Sequence, residues 1–166
     1  MAEPHATLRA QALRLLARRD LSRRELEQRL APSVDAASAE ALRTLLDDLA
    51  ARQLLSDARV AENRARVRGT RYGNQRLARE LRQAGLEEEQ IAAALAQSGD
   101  EIRRCREVWQ KKYGGTLATL PEAATPQAQA RQRRFLLARG FSPATIRAAL
   151  DDRDEWREQD EWDDAE

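Results

Sequence analysis

Residues 76–95 read RLARELRQAGLEEEQIAAAL, and residues 131–150 read RQRRFLLARGFSPATIRAAL, the same pattern carried 55 positions along the chain. In register, Leu81 falls on Leu136, Gly85 on Gly140, Leu86 on Phe141, Ile91 on Ile146 and Leu95 on Leu150. Such a repeat fixes the architecture before any single residue is interpreted, because each copy is one supersecondary unit that buries its apolar face against its neighbours. Each copy reads as helix, stop, helix. The glycine supplies the left-handed residue that ends the first helix, and the apolar residue after it folds back on the last turn. In the second copy Ser142 is an N-cap and Pro143 takes the first helical position, where a missing N–H is harmless. Leu81, Gly85, Ile91, Leu136, Gly140, Phe141 and Ile146 are therefore expected to act through structure.

Outward from these copies, a weaker third version lies near the N-terminus. Ser22-Arg23-Arg24-Glu25 is a capping box, Leu26 and Leu30 continue an apolar stripe, and Leu42, Leu45, Leu46 and Leu49 mark the next helix. Its linker, residues 31–37, is longer and lacks the glycine. Leucine, alanine, arginine and glutamate dominate, all strong helix formers, and no alternation of β-branched residues is sustained. The pattern predicts nine helices, at 6–19, 23–30, 39–52, 58–68, 75–84, 87–97, 100–113, 127–139 and 143–151. The expected fold is all-α: an elongated, curved tandem array of three three-helix repeats, helix-turn-helix-like, with repeat 1 at 1–55, repeat 2 at 56–98 and repeat 3 at 99–151. The stretch 114–126, with Gly-Gly and two prolines, reads as an exposed loop inside the third repeat. Residues 152–166 form an acidic tail that reads as disordered.

Composition fits small cores in a row. The chain has 166 residues, of which 34% are charged and 4% aromatic. No run approaches the roughly 18 to 20 apolar residues of a membrane span, and no signal-peptide core opens the chain. A cytoplasmic protein without a membrane partner is expected. The single cysteine, Cys105, excludes an internal disulfide and a cysteine metal cluster. It shares a helical stripe with Ile102, Trp109 and Tyr113, so it reads as packing rather than as a reactive thiol.

The near-neutral net charge of +1 conceals an asymmetry. Residues 151–166 carry ten acidic side chains against Arg153 and Arg157, a net of −8, which leaves residues 1–150 at +9. The densest basic run, residues 52–82, holds nine arginines against Asp57, Glu62 and Glu80. Arg64, Arg68 and Arg71 follow one another at spacings of four and three, so on a continued helix they line one face, and Arg76 and Arg79 open the next helix. A stripe of this kind attracts a phosphate backbone or an acidic protein groove. The competing reading is a solvated, arginine-rich surface, with many arginines beside glutamates at pairing distance. Opposite charges on body and tail also imply that the tail can fold onto the stripe and compete with a partner, an effect that weakens with salt.

Catalytic chemistry is thin. His5 is the one histidine, so neither a histidine-based catalytic pair nor a multi-histidine metal site is available. Phosphate-loop and dinucleotide-turn motifs are absent. Asp47-Asp48 falls within an amphipathic helix and reads as solvent-facing. Tyr72-Gly73 reads as an inter-helix turn before it reads as a recognition element. Trp156 and Trp162 are unusual inside an acidic tail. No enzyme, cofactor or metal is expected.

Three segments carry a family resemblance: Leu54-Leu55-Ser56-Asp57-Ala58-Arg59-Val60-Ala61, then Gln75-Arg76-Leu77-Ala78-Arg79-Glu80-Leu81 with Gly85 and Leu86, then residues 131–147, RQRRFLLARGFSPATIR. With the opening Ala12-Leu13-Arg14-Leu15-Leu16-Ala17-Arg18-Arg19 and Ser22-Arg23-Arg24-Glu25-Leu26, their order and spacing resemble the three-repeat RecX regulatory proteins of bacteria over about residues 8–151. The acidic tail and the loose first linker depart from that pattern and inherit no role.

The resemblance implies a negative modulator of the RecA recombinase, which binds the RecA filament on single-stranded DNA in its helical groove and limits ATPase, co-protease and strand-exchange activity. A monomer with weak nonspecific DNA affinity is expected. On this reading Arg64, Arg68, Arg71, Arg76 and Arg79 form the contact stripe, with Arg131 and Arg134 as its counterpart in the third repeat. The alternative is a basic helical protein acting on DNA directly, since three-helix modules also resemble helix-turn-helix units. A sequence reader concentrates its arginines at one helix per module, whereas these spread along several.

Overall fold

The computed structural model describes residues 4–35, 38–114 and 125–151, with side chains from Thr7 onward. His5, most of the 114–126 loop and the 152–166 tail, with Trp156 and Trp162, lie outside the described side chains. Among the described residues there are nine α-helices and no strand: α1 Pro4–Arg18, α2 Arg23–Leu30, α3 Ala39–Ala51, α4 Asp57–Gly69, α5 Asn74–Gln83, α6 Glu88–Gln97, α7 Glu101–Tyr113, α8 Pro126–Ala138 and α9 Pro143–Asp151. Each lies within two residues of its sequence expectation. A 3-10 turn, Ala31–Ser33, extends α2, because Pro32 supplies no N–H to carry the helix further.

Local chemistry explains the boundaries. Ser22 Oγ accepts from the Glu25 N–H at 3.2 Å while the Glu25 carboxylate accepts from the Ser22 N–H at 3.0 Å, so the capping box is complete. Thr125 caps α8 with Pro126 at its first position, which starts that helix one residue earlier than the periodicity alone predicts. Both glycine stops are formed. Gly85 and Gly140 sit at φ +84° and +85°, the Leu86 N–H donates to Leu81 O, and the Phe141 N–H donates to Leu136 O. This bonding is the Schellman closure of a helix end. The same closure ends α3, where the Leu54 N–H donates to Leu49 O and the Gln53 N–H to Ala50 O. There the left-handed position is Gln53, at φ 58°.

The helices group into two compact units, with α4 and α5 divided between them. One comprises the described residues up to Arg64 together with Arg79–Ala96. Its core is leucine: Leu21, Leu26, Leu30, Leu46 and Leu49 are almost completely buried, with Leu8 and Leu42 beside them. The other comprises Ala65–Ala78 and the described residues from Gln97 onward. Its core is aromatic at the centre, with Trp109 and Phe141 buried against Cys105, Leu136 and Ile146. The Trp109 indole N–H is satisfied by Gln132 Oε1 at 3.0 Å, as a buried donor requires. Burial pushes the Cys105 thiol up to about 12, which leaves it protonated and unreactive at neutral pH.

Each unit contains one junction between a glycine-stopped turn and the start of another helix. In the first, the Ser22 hydroxyl donates to Ala84 O at 2.6 Å, and a Cβ at Gly85 would overlap the Arg24 side chain, 2.7 Å from Arg24 Cβ. In the second, the Gly73 N–H donates to Arg139 O at 3.0 Å and the Gln75 N–H to Gly140 O at 3.2 Å. A Cβ at Gly73 would overlap Gly140 O and stand 2.5 Å from Phe141 N, and one at Gly140 would stand 2.7 Å from Arg76 N. Ala84 and Arg139 are the residues just before the repeated glycines, so the two junctions are equivalent.

Candidate interaction surface

The five arginines expected to form the stripe are divided between the two units. Arg64 turns into its own unit, where it pairs with Glu25 at 2.6 Å with side chains 24% and 21% exposed. Burial pushes the Glu25 carboxyl up, but the Ser22 N–H and the Arg64 guanidinium outweigh that and hold it below its ordinary value. Arg64 thus locks α4 to the capping box of α2. Arg79 is exposed in the same unit. Arg71 is not on a continued helix, because α4 ends at Gly69.

Arg104 lies against that helix end. Arg104 is 7% exposed, and its guanidinium donates to Gly69 O and Tyr72 O, both at 3.2 Å, and to Asn74 Oδ1 at 2.6 Å. A buried guanidinium offers several fixed donors, so it takes up the carbonyls that the end of α4 leaves unpaired. Glu101 completes the network, accepting from the Asn74 N–H at 2.6 Å and from the Thr145 hydroxyl at 3.0 Å. Residues 70–73 are thereby held as a rigid turn that presents Arg71 and Tyr72.

Tyr72 is the centre of the basic surface. The Arg76, Arg68 and Arg139 guanidinium carbons lie 4.1, 5.0 and 5.9 Å from its ring centroid, within the range of cation–π attraction. Arg139 also lies 4.5 Å from the Phe135 ring and donates to Arg71 O at 3.3 Å. Beside this cluster is an open hollow of about 530 Å³. Tyr72, Phe135 and Val108 supply its apolar floor, and Arg71, Arg139, Lys111 and Lys112 its rim. Among the described residues none of these four cations is in an ion pair. Arg71, Lys111 and Lys112 are exposed.

Arg68, Arg71 and Arg76 therefore come together in one unit, whereas Arg64 and Arg79 belong to the other. Arg131 and Arg134 are exposed on α8. The structure adds Arg139, Lys111 and Lys112, which sequence reasoning missed. Arg139 directly precedes the repeated glycine, and Lys111-Lys112 is the only lysine pair in the chain, so a signal existed. It needed the packing of α7 against α8 to acquire meaning. No cluster of three His, Cys, Asp or Glu side chains among the described residues could hold a metal. No described helix is long and apolar enough to cross a membrane.

Comparison with known proteins now applies to this geometry. Residues 56–95 match a family model described as the second three-helix domain of RecX, and residues 99–150 match that of the third. A regulatory protein RecX of Chromobacterium violaceum is 42% identical over 150 residues, covering 90% of this chain and 93% of the relative. Its counterpart in Herminiimonas arsenicoxydans is 39% identical over 153 residues, with 90% and 95% covered. The crystal structure of RecX from Lactobacillus salivarius superposes with a TM-score of 0.75 at 18% identity, over 92% of this chain and 97% of that one.

Proposed function

The chain belongs to the RecX family, and on that premise we propose that it is a cytoplasmic, non-enzymatic negative regulator of RecA that binds the RecA filament on single-stranded DNA. Binding in the helical groove of the filament limits its ATPase, co-protease and strand-exchange activity. The observation that carries this reading is the basic rim around Tyr72, without an ion pair among the described residues, on a turn hydrogen-bonded to Arg104. A positive surface with aromatic content suits a partner that offers acidic protein side chains and phosphates together. Arg68 and Arg76 support the surface through Tyr72, while Arg71, Lys111, Lys112 and Arg139 meet the partner. Arg131 and Arg134 extend it along α8.

The test is RecA ATP hydrolysis on single-stranded DNA with increasing amounts of this protein, run beside a DNA-binding titration without RecA. Inhibition at concentrations that leave the DNA uncoated supports the regulator. Inhibition that appears only as the DNA becomes coated sinks it in favour of direct DNA binding, which should also show a steep salt dependence.

A further inference from the structure

The hollow beside Tyr72 has a rim of four cations and a floor of two aromatic rings and a valine. The tail contains a segment of matching chemistry. Asp160-Glu161-Trp162-Asp163-Asp164 places four carboxylates around one indole, with no basic residue among them. The earlier tryptophan lies in the related Asp154-Glu155-Trp156, but Arg153 and Arg157 flank that copy and dilute its charge. We propose that the hollow is the intramolecular docking site of residues 160–164, with Trp162 laid on Phe135 and Tyr72 and its flanking carboxylates on Arg71, Lys111, Lys112 and Arg139.

Geometry permits the closure. The tail leaves α9 at Asp151, and α9 packs against α7 and α8, which line the hollow together with the 70–73 turn and Arg139. Trp162 is eleven residues beyond Asp151, a reach of up to about 35 Å. The 13 residues of α7 run only about 20 Å, so the segment reaches Lys111 and Lys112 from any point along that helix. A short tether of this kind gives an effective concentration in the millimolar range, at which weak contacts of an indole and four charge pairs fill the site. A second groove, lined by Arg133, Leu137, Ile146 and Arg147, lies nearer the root of the tail, but Asp151 stands in its wall. It offers two cations against an acid, where the Tyr72 hollow offers four against none.

Docking covers the surface proposed to meet the partner, yet it holds whichever partner that is, so its test needs none. In the full-length chain carrying W156F, the remaining tryptophans are Trp162 and Trp109, and Trp109 is 2% exposed. Acrylamide quenching therefore reports Trp162. It should rise at least about threefold between about 0.05 M and about 0.5 M salt, as the Debye length falls from about 14 to about 4 Å. K111E/K112E, and separately D160N/E161Q/D163N/D164N, should already show the high quenching at low salt, with helical content unchanged. R133E/R147E should quench like the parent. Quenching that is independent of salt and unchanged in K111E/K112E overturns the proposal. So does release by R133E/R147E alone, which places the tail in the other groove. The tail-neutral variant leaves the folded body untouched, so it decides the matter even if K111E/K112E unfolds.

Discussion

The junctions at Gly85 and Gly140 share one plan and are finished differently. At Gly85 the neighbouring helix is capped by Ser22, whose hydroxyl reaches Ala84 O, so a side chain stands between the two backbones. At Gly140 the neighbouring helix is preceded by Gly73, whose own N–H reaches Arg139 O, and the backbones touch. The tighter joint has a consequence at the surface. It seats Arg76 against Gly140 and over Tyr72, next to Arg139, whereas Arg24 at the looser joint is exposed and takes part in no cation–π contact among the described residues. One repeated device therefore serves as a joint in one unit, and as a joint that also organises a basic surface in the other.

The largest expected effect separates the two finishes. G73A drives a Cβ into immovable backbone, so it should destabilise the protein by about 3 kcal/mol or more, read as a lower urea midpoint. The glycines themselves come next. G140A should be the worse of the pair, at about 2 to 3 kcal/mol, because its methyl meets Arg76 N and Cα as well as Cβ, and G85A should lose about 2, because its methyl meets only Arg24 side-chain atoms, of which Cδ and Cγ can rotate away but Cβ cannot. Equal losses at the two sites would show that left-handed strain alone matters. S22A removes a helix cap and leaves Ala84 O buried without its donor, so about 1 to 2 kcal/mol should be lost. Q53G should be a small gain. It relieves about 1 kcal/mol of left-handed strain and returns part of that as unfolded-chain entropy, for a net of about 0.5 kcal/mol in thermal unfolding.

Most of the fold was legible because leucine spacing and caps are local signals. The glycine stops, the Ser22 box and the Pro143 start all appear in the structure as the sequence implies. What escaped was set by distance along the chain. Arg64 spends its charge on Glu25, 39 residues away, and α4 ends before Arg71, at Gly69, whose carbonyl is held by Arg104 35 residues on. Gln53 carries no sequence mark of a left-handed residue, since glutamine lacks the freedom of glycine that marks such a position. The basic surface was half visible: Arg68, Arg71 and Arg76 were named from spacing, while Arg139, Lys111 and Lys112 join them only once α7, α8 and the 70–73 turn are packed.

The measurement that bears most directly on the proposed role is the inhibition of DNA-dependent RecA ATP hydrolysis by two charge-reversed variants, compared at equal helical content. R71E/K111E changes the exposed rim beside Tyr72, and R14E/R29E makes the same change in net charge on exposed helix faces of the leucine-cored unit. The basic-surface assignment predicts that R71E/K111E raises the inhibitory concentration at least about tenfold, equivalent to about 1.4 kcal/mol of binding, while R14E/R29E stays within about twofold of the parent. Equal losses in the two variants would mean that net charge alone is read, and an R71E/K111E variant that inhibits like the parent would contradict the assignment.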